Sequence, residues 1–122
     1  MFLAVTLLCA LSLQGQAPAW AQTACSARTG PLQPPGEFKE FGDWFHQDVF
    51  DEHKTWDEAA HAAIRNIGPE KVAVVKAYLD QVIAGGCTSD ELSEIWRRSR
   101  SDYYVTGPGV IEFFKGLRAA FD

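Results

Sequence analysis

Between Thr55 and Arg100 the chain marks where its helices begin and end, and that punctuation constrains the fold more than any other feature. Thr55-Trp56-Asp57-Glu58 reads as a capping box, in which the Thr hydroxyl and the Glu carboxylate satisfy amide donors orphaned in a first helical turn. Behind it, Trp56, Ala60, Ala63, Ile64 and Ile67 recur at helical spacing as one apolar stripe. Ile67-Gly68-Pro69 ends that helix and starts another, because a proline at the first helical position loses nothing by lacking an N–H. Val72, Val75, Leu79, Val82 and Ile83 form the next stripe, which runs to a left-handed stop at Gly85-Gly86. Thr88-Ser89-Asp90-Glu91 is a second capping box and opens a short helix with Leu92, Ile95 and Trp96 on its apolar face. Arg97, Arg98 and Arg100 follow, where cations favour the negative end of a helix dipole.

The flanks carry weaker signals of the same kind. Phe38, Phe41, Phe45 and Val49 recur at three- and four-residue steps beside Trp44, which predicts a helix from about Glu37 to Phe50, with Gly42 as its weak point. A last helix is expected from Val110 to about Phe121 on Val110, Phe113, Phe114, Leu117 and Phe121. The intervening Ser101–Gly109 reads as a loop. Tyr103-Tyr104-Val105-Thr106 is the one run rich in strand formers, but it is short and lacks a strict two-residue period. The expected fold is all-α: a small bundle of four to five helices behind an extended N-terminal leader.

Residues 1–21 stand apart from that bundle. Phe2 to Leu13 is uncharged and apolar, and Ala19-Trp20-Ala21 follows as a small-x-small cleavage site, so the segment reads as a signal peptide. The apolar run is shorter than the roughly 20 residues a spanning helix needs. Export to the periplasm or medium is expected, or a cytoplasmic location if translation starts downstream, since no Lys or Arg precedes the run. Removing 21 of the 122 residues leaves 101, all helical domain except the Pro- and Gly-rich leader at 22–36. Cys25 and Cys87 remain after cleavage, and they either form one bridge or stay as two free thiols. The net charge of −5 argues against nucleic acid or an anionic membrane and suits a basic protein partner of a monomer.

The most unusual stretch is Glu37–Glu58, with eight acids (Glu37, Glu40, Asp43, Asp48, Asp51, Glu52, Asp57, Glu58) against Lys39 and Lys54, and with His46 and His53. Three uses compete. His46, Asp48 and His53 are metal-ligand types, yet they lack His-x-x-x-His or Cys-x-x-Cys spacing. A His among carboxylates can do acid–base work, but no nucleophile motif accompanies it. The remaining uses are bracing of the backbone by His46 and Asp48, and partner contact. Trp44, Trp56 and Trp96 are expected in the core, while Tyr103 and Tyr104, beside Asp102, are expected to divide between core and interface. The arginines at 97, 98 and 100 are expected to pair with acids of the His46 segment.

Phe41-Gly42-Asp43-Trp44-Phe45-His46-Gln47-Asp48, then Thr55-Trp56-Asp57-Glu58-Ala59, a Pro-Glu-started helix and finally Asp102-Tyr103-Tyr104 resemble the immunity proteins of contact-dependent growth inhibition systems. The likeness is to the small helical type with a Phe-His-Gln-Asp signature, and it spans about Phe38 to Phe121, so residues 37–122 read as an immunity-like domain. It implies a non-enzymatic inhibitor without cofactor that binds a toxin domain, often a basic nuclease, and blocks its active site. Phe45, His46, Gln47, Asp48, Asp102, Tyr103 and Tyr104 match the signature. With the acidic neighbours, the expected partner-binding set is Asp43, His46, Asp48, Asp51, Glu52, Asp102, Tyr103 and Tyr104. Two features depart from the pattern: Val49 stands where the signature continues with Trp, and such proteins are cytosolic whereas this chain opens with an export signal. The alternatives to the immunity reading are a small periplasmic metal-binding or hydrolytic domain using His46, Asp48 and His53, or a generic envelope interaction domain.

Overall fold

The computed structural model describes Cys25 and residues 33–122, so the expected signal peptide at 1–21 lies outside the described residues, as does most of the leader. Among the described residues there are six helices and no strand: α1 (Gly36–Asp43), α2 (Val49–Glu52), α3 (Trp56–Ile67), α4 (Pro69–Ala84), α5 (Ser89–Arg97) and α6 (Val110–Ala119). No helix among them is long and apolar enough to cross a membrane.

The helix boundaries fall where the punctuation puts them. The Thr88 hydroxyl accepts the Glu91 N–H at 3.2 Å while the Glu91 carboxylate accepts the Thr88 N–H at 2.9 Å, a complete capping box. The Thr55 box is shifted by one residue: Thr55 accepts the Glu58 N–H, but the Glu58 carboxylate takes the Lys54 amide instead of Thr55's own. Gly68 links α3 to α4 at φ 92°, a conformation that costs other residues steric strain, and Pro69 follows as the first residue of α4.

The expected helix from Glu37 to Phe50 is two helices. An uninterrupted helix would send the Val49 N–H to Phe45 O and the Gln47 N–H to Asp43 O. Here Val49 donates to His46 O at 3.0 Å, Gln47 donates to the Asp102 carboxylate at 2.9 Å, and Phe45 O accepts the Asp102 N–H at 3.0 Å. Bonds from a distant loop have replaced the helical ladder, and α1 stops at Asp43. Gly42 marks the same place. A Cβ there would collide with the Ser99 side chain and come within 3.2 Å of the Arg100 amide, so the end of α1 approaches the 99–100 backbone as only glycine permits.

α6 packs on α3, α4 and α5, while α1 lies against α3 and α4. The largest side chains buried between them are Trp96, Phe38, Phe41, Phe45 and Phe114, each with no exposed surface. Burial of side chains this size stabilises by roughly 1.5–3 kcal/mol apiece. Their rings meet edge-on or tilted, as in Phe45–Trp96 at 5.3 Å and 75°. A disulfide joins Cys25 to Cys87 with Cα atoms 5.1 Å apart, which decides between bridge and free thiols and fastens the leader to the turn after α4.

Candidate functional site

The segments 45–48 and 102–104 are bonded to each other across the chain, Gln47 and Asp102 lying 55 residues apart. Asp102 makes two of the bonds. Its amide donates to Phe45 O, and its carboxylate accepts the Gln47 N–H at 2.9 Å. Tyr103 makes a third, its hydroxyl donating to Gln47 O at 2.9 Å. The turn they close is tightened from within by His46, whose Nδ1 accepts the Asp48 N–H at 3.3 Å. His46 therefore braces the turn, while Asp48 takes part only through its backbone amide.

The 101–104 side of this clasp is anchored in the core. Trp96 is wholly buried, and its indole N–H donates to Tyr103 O at 2.9 Å, so the most deeply placed polar group of the aromatic core is satisfied. The Ser101 hydroxyl takes the Tyr103 N–H at 3.0 Å. The Tyr103 ring sits edge-on to Phe50 at 5.2 Å and to Trp56 at 5.6 Å. Of the two tyrosines, Tyr103 folds back onto the core and Tyr104 stands 74 % exposed.

Around this clasp the acids face solvent. Asp43, Asp48, Asp51, Glu52 and Asp102 are all exposed. Among the described residues, Glu52 approaches His53 at 4.0 Å, and Asp43, Asp48 and Asp51 have no ion pair. Trp44, expected in the core, is instead 39 % exposed: adjacent helical residues are about 100° apart, so the residue before the buried Phe45 falls outside the Phe38, Phe41 and Phe45 stripe.

The arginines find other partners than expected. Arg97 and Arg98 both grip Glu94, one turn back on α5, with Arg97 Nη2 at 2.6 Å from its carboxylate, in place of the acids of the His46 segment. The two guanidiniums hold the Glu94 carboxyl down at about 2, mainly through these hydrogen bonds. His46, Asp48 and His53 do not converge: among the described residues no group of three or more His, Cys, Asp or Glu side chains is placed to hold a metal ion. A cavity of about 230 Å³ between α3 and α6 is lined by Trp56, Ala60, Phe113 and Leu117, with Asp57 its one charged side chain. Comparison with models of known protein families, with characterised proteins and with solved structures returns no match for the chain.

Proposed function

We propose that this chain is a non-catalytic immunity-type protein that binds a cognate toxin domain and covers its active site. One observation carries the reading: a turn locked to the core from both sides presents Asp43, Asp48, Asp51 and Asp102 to solvent together with a partly exposed tryptophan. Carboxylates held on a rigid support steer a basic cleft into register and speed encounter without ordering cost on binding. An aromatic ring among them supplies the kind of anchor that dominates protein interfaces. Inhibition then needs no chemistry, because an acidic face lodged in a cationic active site excludes its substrate.

The proposed place of action is the cell envelope. The Cys25–Cys87 bridge supports this, since disulfides persist in oxidising compartments. Of the expected partner-binding set, Asp102 and Tyr103 position the turn, while Asp43, Asp48 and Asp51 make the contacts, joined by Trp44 from outside that set.

The test is co-expression with the toxic domain encoded by the adjacent gene. Growth rescue and a one-to-one complex are expected. Replacing Asp43 and Asp48 together by Lys should slow association at least about tenfold and flatten its salt dependence. Neither rescue nor complex with that neighbour would end the proposal.

A further inference from the structure

The facing sides of α3 and α6 do not close on each other. Ala60 of α3 and Gly116 of α6 stand among the larger Trp56, Phe113 and Leu117, and these five with Asp57 line the cavity of about 230 Å³. A Cβ built on Gly116 would meet no atom within 4 Å. Packing therefore does not require glycine at that position, and inside a helix glycine is less favourable than alanine. What its bare backbone preserves is space, in an interior that ordinarily holds few voids larger than a water molecule.

The cavity has a floor and a mouth. Ala60 and Leu117 are buried, Trp56 and Phe113 half-buried, and Asp57 and Gly116 exposed. The Trp56 and Phe113 rings meet edge-on at 5.0 Å and 78°, forming an aromatic corner. An apolar cavity of about 150 Å³ holds benzene. The larger volume here has room for a second fused ring.

Asp57 sets the polar part of the ligand. A carboxylate accepts hydrogen bonds and donates none. His61 Nδ1 lies 3.5 Å from Asp57 Oδ2, which leaves acceptor positions of the carboxylate for a ligand. Asp57 also lies in the first turn of α3, where the helix N-terminus already opposes its charge. A hydrogen-bond donor, and not a second positive charge, completes such a mouth. An anionic ligand would meet like charge there, and among the described residues lining the cavity none is basic.

We propose that this cavity binds a small uncharged aromatic molecule of two fused rings with one N–H or O–H donor. The rings lie against Trp56, Phe113 and Leu117, and the donor bonds to the Asp57 carboxylate. The inference does not rest on the toxin-binding reading, and the adjacent-gene experiment leaves it untouched.

The probe is indole, titrated into the disulfide-bonded protein and followed by amide and tryptophan side-chain NMR. Saturable shifts are expected at the Trp56 indole N–H, Ala60, Phe113 and Leu117. 1-Methylindole keeps the rings and loses the donor, so it should bind at least about tenfold more weakly. Gly116→Leu fills the space from an exposed helical position. It should weaken indole by at least about tenfold without lowering the Tm, because leucine is the better helix former. No saturable shift at millimolar indole, or equal affinity for 1-methylindole or in Gly116→Leu, would each overturn the proposal. So would binding of the cation tryptamine at least about tenfold tighter than indole, which would assign the mouth to positive charge.

Discussion

Removing the Cys25–Cys87 bridge measures how much stability comes from fastening the leader to the bundle. The two cysteines are 62 residues apart, so the bridge closes a loop that contains α1 to α4. In the chain-entropy account, closing a loop of that length takes roughly 14 cal/mol/K from the unfolded ensemble, or about 4 kcal/mol at 25 °C. That figure applies if Cys25, which is 4 % exposed, keeps its place once the bridge is gone. If Cys25 instead leaves that place, the native bridge was also closing the nine-residue separation between Cys25 and Pro34. The same relation makes that closure cost roughly 2.5 kcal/mol, and the net stabilisation falls to about 2 kcal/mol. Either value is a large share of the stability typical of a domain, about 5–15 kcal/mol. At about 4–8 °C per kcal/mol, the Tm of the Cys25→Ala/Cys87→Ala variant should fall by roughly 8–30 °C. Paired thermal and urea unfolding of the two proteins would measure it, with a larger urea slope for the variant because its unfolded chain expands. A loss below about 1 kcal/mol with an unchanged slope would refute the loop-entropy reasoning.

Three further outcomes follow from single contacts. Gly42→Ala drives a methyl into Ser99 and should destabilise by about 1–3 kcal/mol in urea unfolding, with partial recovery in Gly42→Ala/Ser99→Gly. Glu94 has a folded pKa of about 2, below its unfolded value, so it adds stability above about pH 4.5 that is lost as pH falls towards 2. Glu94→Gln should therefore flatten the pH dependence of the urea midpoint across that window and barely move it at pH 7, as the pair is surface-exposed. Tyr103→Phe keeps the ring on Phe50 and Trp56 but deletes the bond to Gln47 O, so a cost of about 0.5–1.5 kcal/mol is expected. A double-mutant cycle with Asp102→Ala should then show coupling, and additive losses would mean the two residues do not brace one turn.

The readability of this chain follows the range of the interactions involved. Helices α3 to α6 are specified by bonds spanning three or four residues, so Thr88, Glu91, Pro69 and Gly86 announce them in a linear reading. The break after Asp43 is specified by Asp102, at a separation of 55 residues from Gln47, and no local pattern contains it. Gly42 was the one visible trace of that break, noticeable as a flaw in a helix and explained only by the approach of Ser99. The candidate site's residue types were visible as acids and aromatics; the division of labour between them was not, because it depends on which partner takes each backbone amide.

That division separates the residues that hold the turn from those left for contact. Asp102 and Tyr103 spend side-chain groups on the backbone of Gln47, and His46 spends a ring nitrogen on the Asp48 amide. Replacing Asp102, Tyr103 or His46 disturbs the turn before it disturbs a contact. The neighbouring Trp44, Asp48 and Asp51 side chains, and Tyr104 on the far side, meet solvent and can change without loosening the core. A partner is distinguished by the chemistry of those exposed groups, since specificity is a difference between affinities and only groups that touch the partner contribute directly to it. On the proposed protein-binding reading, the same clasp serves different targets. Exchanging Trp44, Asp48, Asp51 and Tyr104 as a set should redirect binding while leaving the urea midpoint nearly unchanged, whereas exchanging Asp102 and Tyr103 should lower the midpoint whatever the partner.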